Sequence, residues 1–167
     1  MFCDESLVIE MNALVERLKG HWLEKRIRIQ AGASLDQVKS FESHYQVCLP
    51  QDLRDYFTTV NGMEKGEIDE ELFSFLPLQA VKSIPEELGQ FGGIPDYTQI
   101  TRSLPDARRW FVIVDYLICS AVYAIRLSAE LESTPVMWIG DGTHYREVAP
   151  CFSGFLESYM TNPRDLF

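Results

Sequence analysis

The sequence predicts an α+β fold rather than an alternating α/β one. Three observations carry this. Helical periodicity dominates up to about residue 62, β-branched and aromatic runs cluster from Trp110 onward, and one more helical stripe closes the chain after Pro150. The 167 residues suit a single domain spanning 1–167, because two cores in that length would each be small. A hydrophobic content of 46% is that of a packed globular chain.

Leu7, Met11, Leu14, Val15 and Leu18 recur at helical spacing, so residues 5–19 read as an amphipathic helix ended by Gly20. HWLEKRIRI follows as an irregular or extended connection to a turn at Gly32. Ser34 opens a second helix, and Gln37 three residues later completes a capping box. Leu35, Val38, Phe41 and Tyr45 line one face of that helix. Pro50 suits the first turn of a third helix, where its missing amide hydrogen costs nothing. Leu53, Tyr56, Phe57 and Val60 form its core stripe, and Asn61-Gly62 supplies a left-handed stop.

MEKGEIDEE is acidic, and LFSFLPL reads as a short strand of large apolar residues. Leu78–Leu88 reads as a brief helix despite Pro85. GQFGGIPDYTQITRSLPDARR reads as a long loop with room for a turn of helix, a kind of segment that often carries function. WFVIVDY and AVYAIRL form a hairpin, TPVMWIG a third strand, and HYREV a short strand after the turn DGT. Phe152, Phe155, Leu156 and Tyr159 mark the last helix.

Fifteen Lys and Arg face 25 Asp and Glu, a net charge of −10. That balance argues against nucleic acid and against an anionic membrane, both of which need cationic protein surface. The acidity is uneven. Glu64–Glu71 holds five acids and one Lys, a local −4, whereas HWLEKRIRI carries +2. The first thirty residues lack the basic start and apolar block of a secretory signal. The longest uncharged apolar stretch, near Leu117–Ile125, is far shorter than the roughly 20 residues of a membrane helix. Cys3, Cys48, Cys119 and Cys151 are scattered without a CxxC pair, which fits reduced thiols in a cytoplasmic protein and no zinc site.

No nucleophile elbow, P-loop, HExxH or GxGxxG motif is present. His44 and Cys48 stand at i and i+4, but Cys48 precedes Leu49-Pro50 in a turn expected to be packed. His144 beside Asp141 is a conceivable general base, with a turn histidine the plainer account. Asp115 is expected to cap the connector after WFVIVDY or to pair with Arg126. The acids Glu64, Glu67, Asp69, Glu70 and Glu71 read either as an electrostatic lure for a basic partner or as a solvated loop. Trp22, Tyr97, Trp110 and Trp138 fall outside clear core stripes, so any exposed one is an anchor candidate.

The segment ASLDQVKSFESHYQVCLPQDLRDYFTTVNG resembles the signature of the Smi1/Knr4 (SUKH) superfamily: a helix ending in Phe41-Glu42, then Leu49-Pro50, an aromatic stripe at Tyr56-Phe57, and Asn61-Gly62. Phe75-Leu76-Pro77-Leu78 with Val81, the three strands and FSGFLESYM continue the resemblance in order, over about residues 20–162. One departure is the connector Asp115-Tyr116-Leu117-Ile118-Cys119-Ser120, where many members carry a Gly-containing turn. The resemblance implies a mixed or mostly antiparallel sheet packed against N-terminal helices and a C-terminal helix. It also implies a non-enzymatic role without a cofactor. Bacterial members are mostly immunity proteins that block toxins, often nucleases, and fungal members are signalling scaffolds. The motif residues resemble fold determinants, so no functional residue transfers from them.

The leading expectation is an immunity-type protein occluding a basic toxin domain. Its interface would join Glu64, Glu67, Asp69, Glu70 and Glu71 to the loop around Tyr97. A regulatory or scaffold module with another protein partner is the second reading, and a small hydrolase using His144 and Asp141 the third. A deep polar pocket holding both side chains would favour the enzyme.

Overall fold

The structure is a computed structural model that describes residues 5–130 and 133–167, with side chains described from residue 13. Cys3 and the side chains of Leu7 and Met11 lie outside that description. The first helix, α1 (Glu5–Glu24), does not stop at Gly20. It runs on because Trp22 is fully buried, and that burial outweighs the modest cost of a helical glycine. The expected extended connection therefore begins only after Glu24.

α2 (Leu35–Tyr45) starts at the Ser34–Gln37 capping box, and α3 (Gln51–Thr59) follows Pro50. The residues between and after them act as clamps. Glu42 accepts from the Leu49 amide at 2.8 Å and pairs with Arg54 at 2.7 Å, which fixes the Leu-Pro turn onto both helices. Asn61, buried and left-handed at φ 47°, donates to the Ala31 carbonyl at 3.1 Å and accepts from the Leu78 amide at 2.8 Å. Gly62 sits at φ 77°, where a Cβ would lie 2.6 Å from the Leu76 carbonyl carbon. Only glycine satisfies both demands. The Phe-Glu, Leu-Pro and Asn-Gly pairs are thus joints of the fold.

Six strands form one antiparallel sheet: β1 (Phe73–Phe75), β2 (Lys82–Ser83), β3 (Trp110–Tyr116), β4 (Ala121–Arg126), β5 (Val136–Ile139) and β6 (Tyr145–Ala149). The order is β1-β3-β4-β5-β6, with β2 sharing the same edge of β3 as β1. Side chains alternate across the sheet. Phe111, Tyr123, Ile125 and Val136 face one core, while Val112, Val122, Ala124, Met137 and Ile139 face another. The register shift between Val112 and Val114 places Ile113 and Val114 in the same core.

The first core lies under α1, α2, α3 and the C-terminal α6 (Phe152–Thr161). The second lies under α4 (Ile84–Glu87), α5 (Ile100–Ser103) and the chain around them. Pro85 belongs to the first turn of α4 instead of breaking a longer helix, and Glu86 accepts from the Ser83 amide and hydroxyl. The segment read as a long loop is therefore a packed cover, which buries Tyr97, Ile100, Leu104 and Ala107 on the sheet.

Candidate functional site

The acidic run and the basic stretch, distant in sequence, run side by side. Ile29 bridges Met63, and the Glu64 amide donates to the Arg28 carbonyl at 2.9 Å. Arg28 then forks over two acids: Nη1 lies 3.4 Å from Glu64, and Nε donates to Glu67 at 2.7 Å. Lys25 reaches Glu70 at 3.2 Å. The hydrogen bond from Arg28 holds the Glu67 carboxyl below the ordinary range, and Glu67 raises Arg28 in turn. Folding thus combines the local −4 and +2 into −2.

Two of the expected contact residues are interior. Asp69 is buried: its Oδ1 accepts from the Phe73 and Glu71 amides, and its Oδ2 accepts from the Tyr159 hydroxyl. Tyr159 in turn accepts from Trp22 Nε1 at 2.9 Å. Burial beside this carboxylate pushes the Tyr159 phenol far up. Tyr97 is wholly buried rather than displayed on a loop. Its ring packs on Phe91 and its hydroxyl donates to the Cys119 carbonyl at 3.2 Å, because the apolar sheet face needs covering more than the loop needs solvent. Trp22 and Trp110 are likewise core residues.

The acids left at the surface are Glu64, Glu67, Glu70 and Glu71. The side chain of Glu70 is 79% exposed, and Glu71 has no ion-pair partner among the described residues. Both stand on the tight turn from Asp69 to Leu72, closed by the Leu72 amide on the Asp69 carbonyl at 3.0 Å. The Leu72 carbonyl accepts from the Leu117 amide at 2.9 Å, so the acidic turn abuts the β3–β4 connector. There Asp115 caps the connector, accepting from the Cys119 amide at 2.7 Å. The same connector receives the Tyr97 hydroxyl, so Tyr97 approaches the acidic turn only from within.

Leu72, Leu117 and Ile118 are exposed at this corner, and sequence reading missed them. A signal was present, for the connector Leu-Ile-Cys-Ser contains none of the Gly, Asn or Asp that ordinarily take the left-handed positions of a tight hairpin turn.

Asp141 and His144 do meet, with His144 Nδ1 2.8 Å from Asp141 Oδ2. The amides of Thr143 and His144 also donate to Asp141 and hold its carboxyl down to about 2. The pair closes the β5–β6 turn with the imidazole 76% exposed to solvent. That arrangement shapes a hairpin turn. His44 and Cys48 do not pair: the Cys48 thiol donates to the Ala129 carbonyl at 3.3 Å, while His44 stacks edge-on to Tyr45. His44 and Tyr45 line a groove of about 470 Å³ between α2 and residues 78–82, with Phe41, Leu78 and Val81 at its base.

Among the described residues no cluster of His, Cys, Asp and Glu could hold a metal ion, and no helix is long and apolar enough to cross a membrane. Comparison with curated proteins gives no match. The model of the SMI1 / KNR4 family (SUKH-1) matches residues 32–158, a span that begins at Gly32, includes the clamps Glu42, Asn61 and Gly62, and ends within α6. With most of its length matched, the chain belongs to the SMI1/KNR4 (SUKH-1) family.

Proposed function

We propose that this chain is an immunity-type protein of the cytoplasm that neutralises a toxin domain by covering it, with a basic protein as its partner. The observation that carries this reading is the corner at Asp69–Leu72. There Glu70 and Glu71 project from a turn whose backbone is locked by a buried carboxylate, beside exposed apolar side chains. Acidic groups held in place on a firm scaffold speed capture of a cationic partner, and apolar neighbours supply the contact that retains it. Family membership supports a protein-binding role. The free thiols of Cys48, Cys119 and Cys151 suit a reducing compartment.

The test is co-expression with the C-terminal domain encoded by the reading frame next to this gene, followed by copurification and growth rescue. A stoichiometric complex and rescue are expected. The double reversal Glu70→Lys with Glu71→Lys should slow association by about tenfold at low salt and have less effect at high salt. No complex and no rescue would sink the proposal. An unchanged association rate would remove the acidic corner from it.

A further inference from the structure

The β3–β4 connector follows an unusual path. Leu117, Ile118 and Cys119 are left-handed in succession, at φ 49°, 52° and 63°, and Leu72 beside them is left-handed at φ 72°. The Ser120 amide donates to the Tyr116 carbonyl at 3.1 Å, which closes one left-handed turn. Side chains with a Cβ avoid this region, and a β-branched residue avoids it most. Elsewhere among the described residues the left-handed non-glycine positions are Arg26, Gln46, Asn61 and Asp106, all polar. At this corner alone they are Leu, Leu, Ile and Cys.

Three of the four, Leu72, Leu117 and Ile118, are also exposed. Ile118 is 81% exposed, Leu117 41% and Leu72 37%, and Phe167, 44% exposed, packs against Tyr116 at their flank. An apolar patch that the fold holds in a costly conformation, instead of relaxing it with glycine or asparagine, is expected where the side chains themselves are used.

We infer that the Leu117–Ile118 turn is an apolar knob that inserts into a pocket on a basic protein partner, with Leu72 beside it and Glu70 and Glu71 as its charged rim. This inference rests on the proposed function and names the anchor of that contact. Charge selects the occupant. The acidic rim repels anionic lipid and disfavours a second copy of a chain whose net charge is −10, while it complements a cationic protein. The backbone is fastened before any partner arrives, through Leu72 to Leu117, Asp115 to Cys119 and Tyr97 to Cys119. A knob held this way loses little freedom on binding.

The experiment measures binding of the full chain to the purified domain encoded next to its gene, by calorimetry, with sedimentation of the chain alone. The variants are Leu117→Gly with Ile118→Gly, and separately Ile118→Asn, because both glycine and asparagine accept the left-handed backbone. The double variant should bind about 100-fold more weakly, and Ile118→Asn at least about tenfold, while both melt no lower than the wild type. Wild-type binding with unchanged affinity in both variants would overturn the knob and leave the immunity reading standing. No wild-type binding would overturn both. Sedimentation of the wild type as a dimer that the variants abolish would assign the knob to a second copy and overturn the basic-partner inference.

Discussion

Two buried tyrosines make opposite predictions for the same substitution. Tyr159 is 2% exposed and its hydroxyl links Trp22 Nε1 to Asp69. Tyr159→Phe deletes a hydrogen bond to a carboxylate, worth about 1.5–3 kcal/mol, and leaves the buried indole N–H without an acceptor, at about 1–3 kcal/mol. The two losses share one hydroxyl and overlap, so a destabilisation of about 3 kcal/mol is expected. In a chain of this length that lowers the melting temperature by roughly 6–12 °C. Tyr56 is 1% exposed, and among the described residues its hydroxyl has no hydrogen-bond partner. Its ring packs against Phe57, Phe152, Trp22 and Phe75, all of which Phe would retain. Tyr56→Phe removes only an unsatisfied polar group, so a gain of about 1 kcal/mol is expected. Urea unfolding of both variants measures the difference, with equal slopes required before midpoints are compared. A Tyr159→Phe variant within about 0.5 kcal/mol of wild type, or a Tyr56→Phe variant that loses more than about 1 kcal/mol, would refute the hydrogen-bond assignment.

Gly62→Ala should lose about 3 kcal/mol or prevent folding, since its Cβ meets the Leu76 carbonyl and its φ is positive; Gly20→Ala, in α1 with open space at its Cβ, should gain about 0.5–1 kcal/mol by thermal melting. Burial raises the Asp115 carboxyl above its ordinary 3.8, so the native state binds more protons than the unfolded state just above that pH. The stability contributed by Asp115 is full below pH 3.8 and falls as pH rises through the native value. Asp115→Asn should therefore gain on wild type as pH increases from about 4, and a difference that stays flat from pH 3 to 7 would contradict it. The Asp141 carboxyl should titrate by carbon NMR near a pKa of about 2, and His144→Ala should move it toward 3.8.

The helical hairpin was legible because its signals are local. A capping box, a core stripe and Asn61-Gly62 each act within four residues, and the structure places α2 and α3 where they predict. β1, β3, β4 and β5 were legible as apolar runs for the same reason, and β6 as a short strand after its turn, whereas β2 (Lys82–Ser83) lies inside Leu78–Leu88, which reads as a helix in sequence. What failed was long-range. Gly20 is a reasonable helix stop until Trp22 is found packed against α3 and α6 residues. The Gly- and Pro-rich stretch has loop composition, yet one face of the sheet would stay open without Tyr97, Ile100 and Leu104. In the acidic run, composition cannot distinguish Asp69, drawn inward by two amides and a phenol, from Glu70, which points outward. Nor does sequence place Arg28 against Glu64 and Glu67, because the Ile29–Met63 bridge forms only with the tertiary fold.

The left-handed connector sharpens how charge and apolar surface divide their work. Each left-handed non-glycine residue costs roughly 1–2 kcal/mol, so Leu117, Ile118 and Cys119 together hold about 3–6 kcal/mol of conformational strain. That strain persists because β3 and β4 pair over six register positions on either side, and because Asp115 and Tyr97 both bind Cys119. A glycine turn would relieve the strain but would leave a tip that must be ordered on contact. Arg28 already pairs with Glu64 and Glu67 and Lys25 with the exposed Glu70, so Glu70 and Glu71 together project only a modest field. A modest field is enough to orient an encounter with a cationic surface, but not to hold it at physiological salt. Retention must then come from desolvated apolar contact, and the rigid Leu117–Ile118 tip is the element at this corner able to provide it.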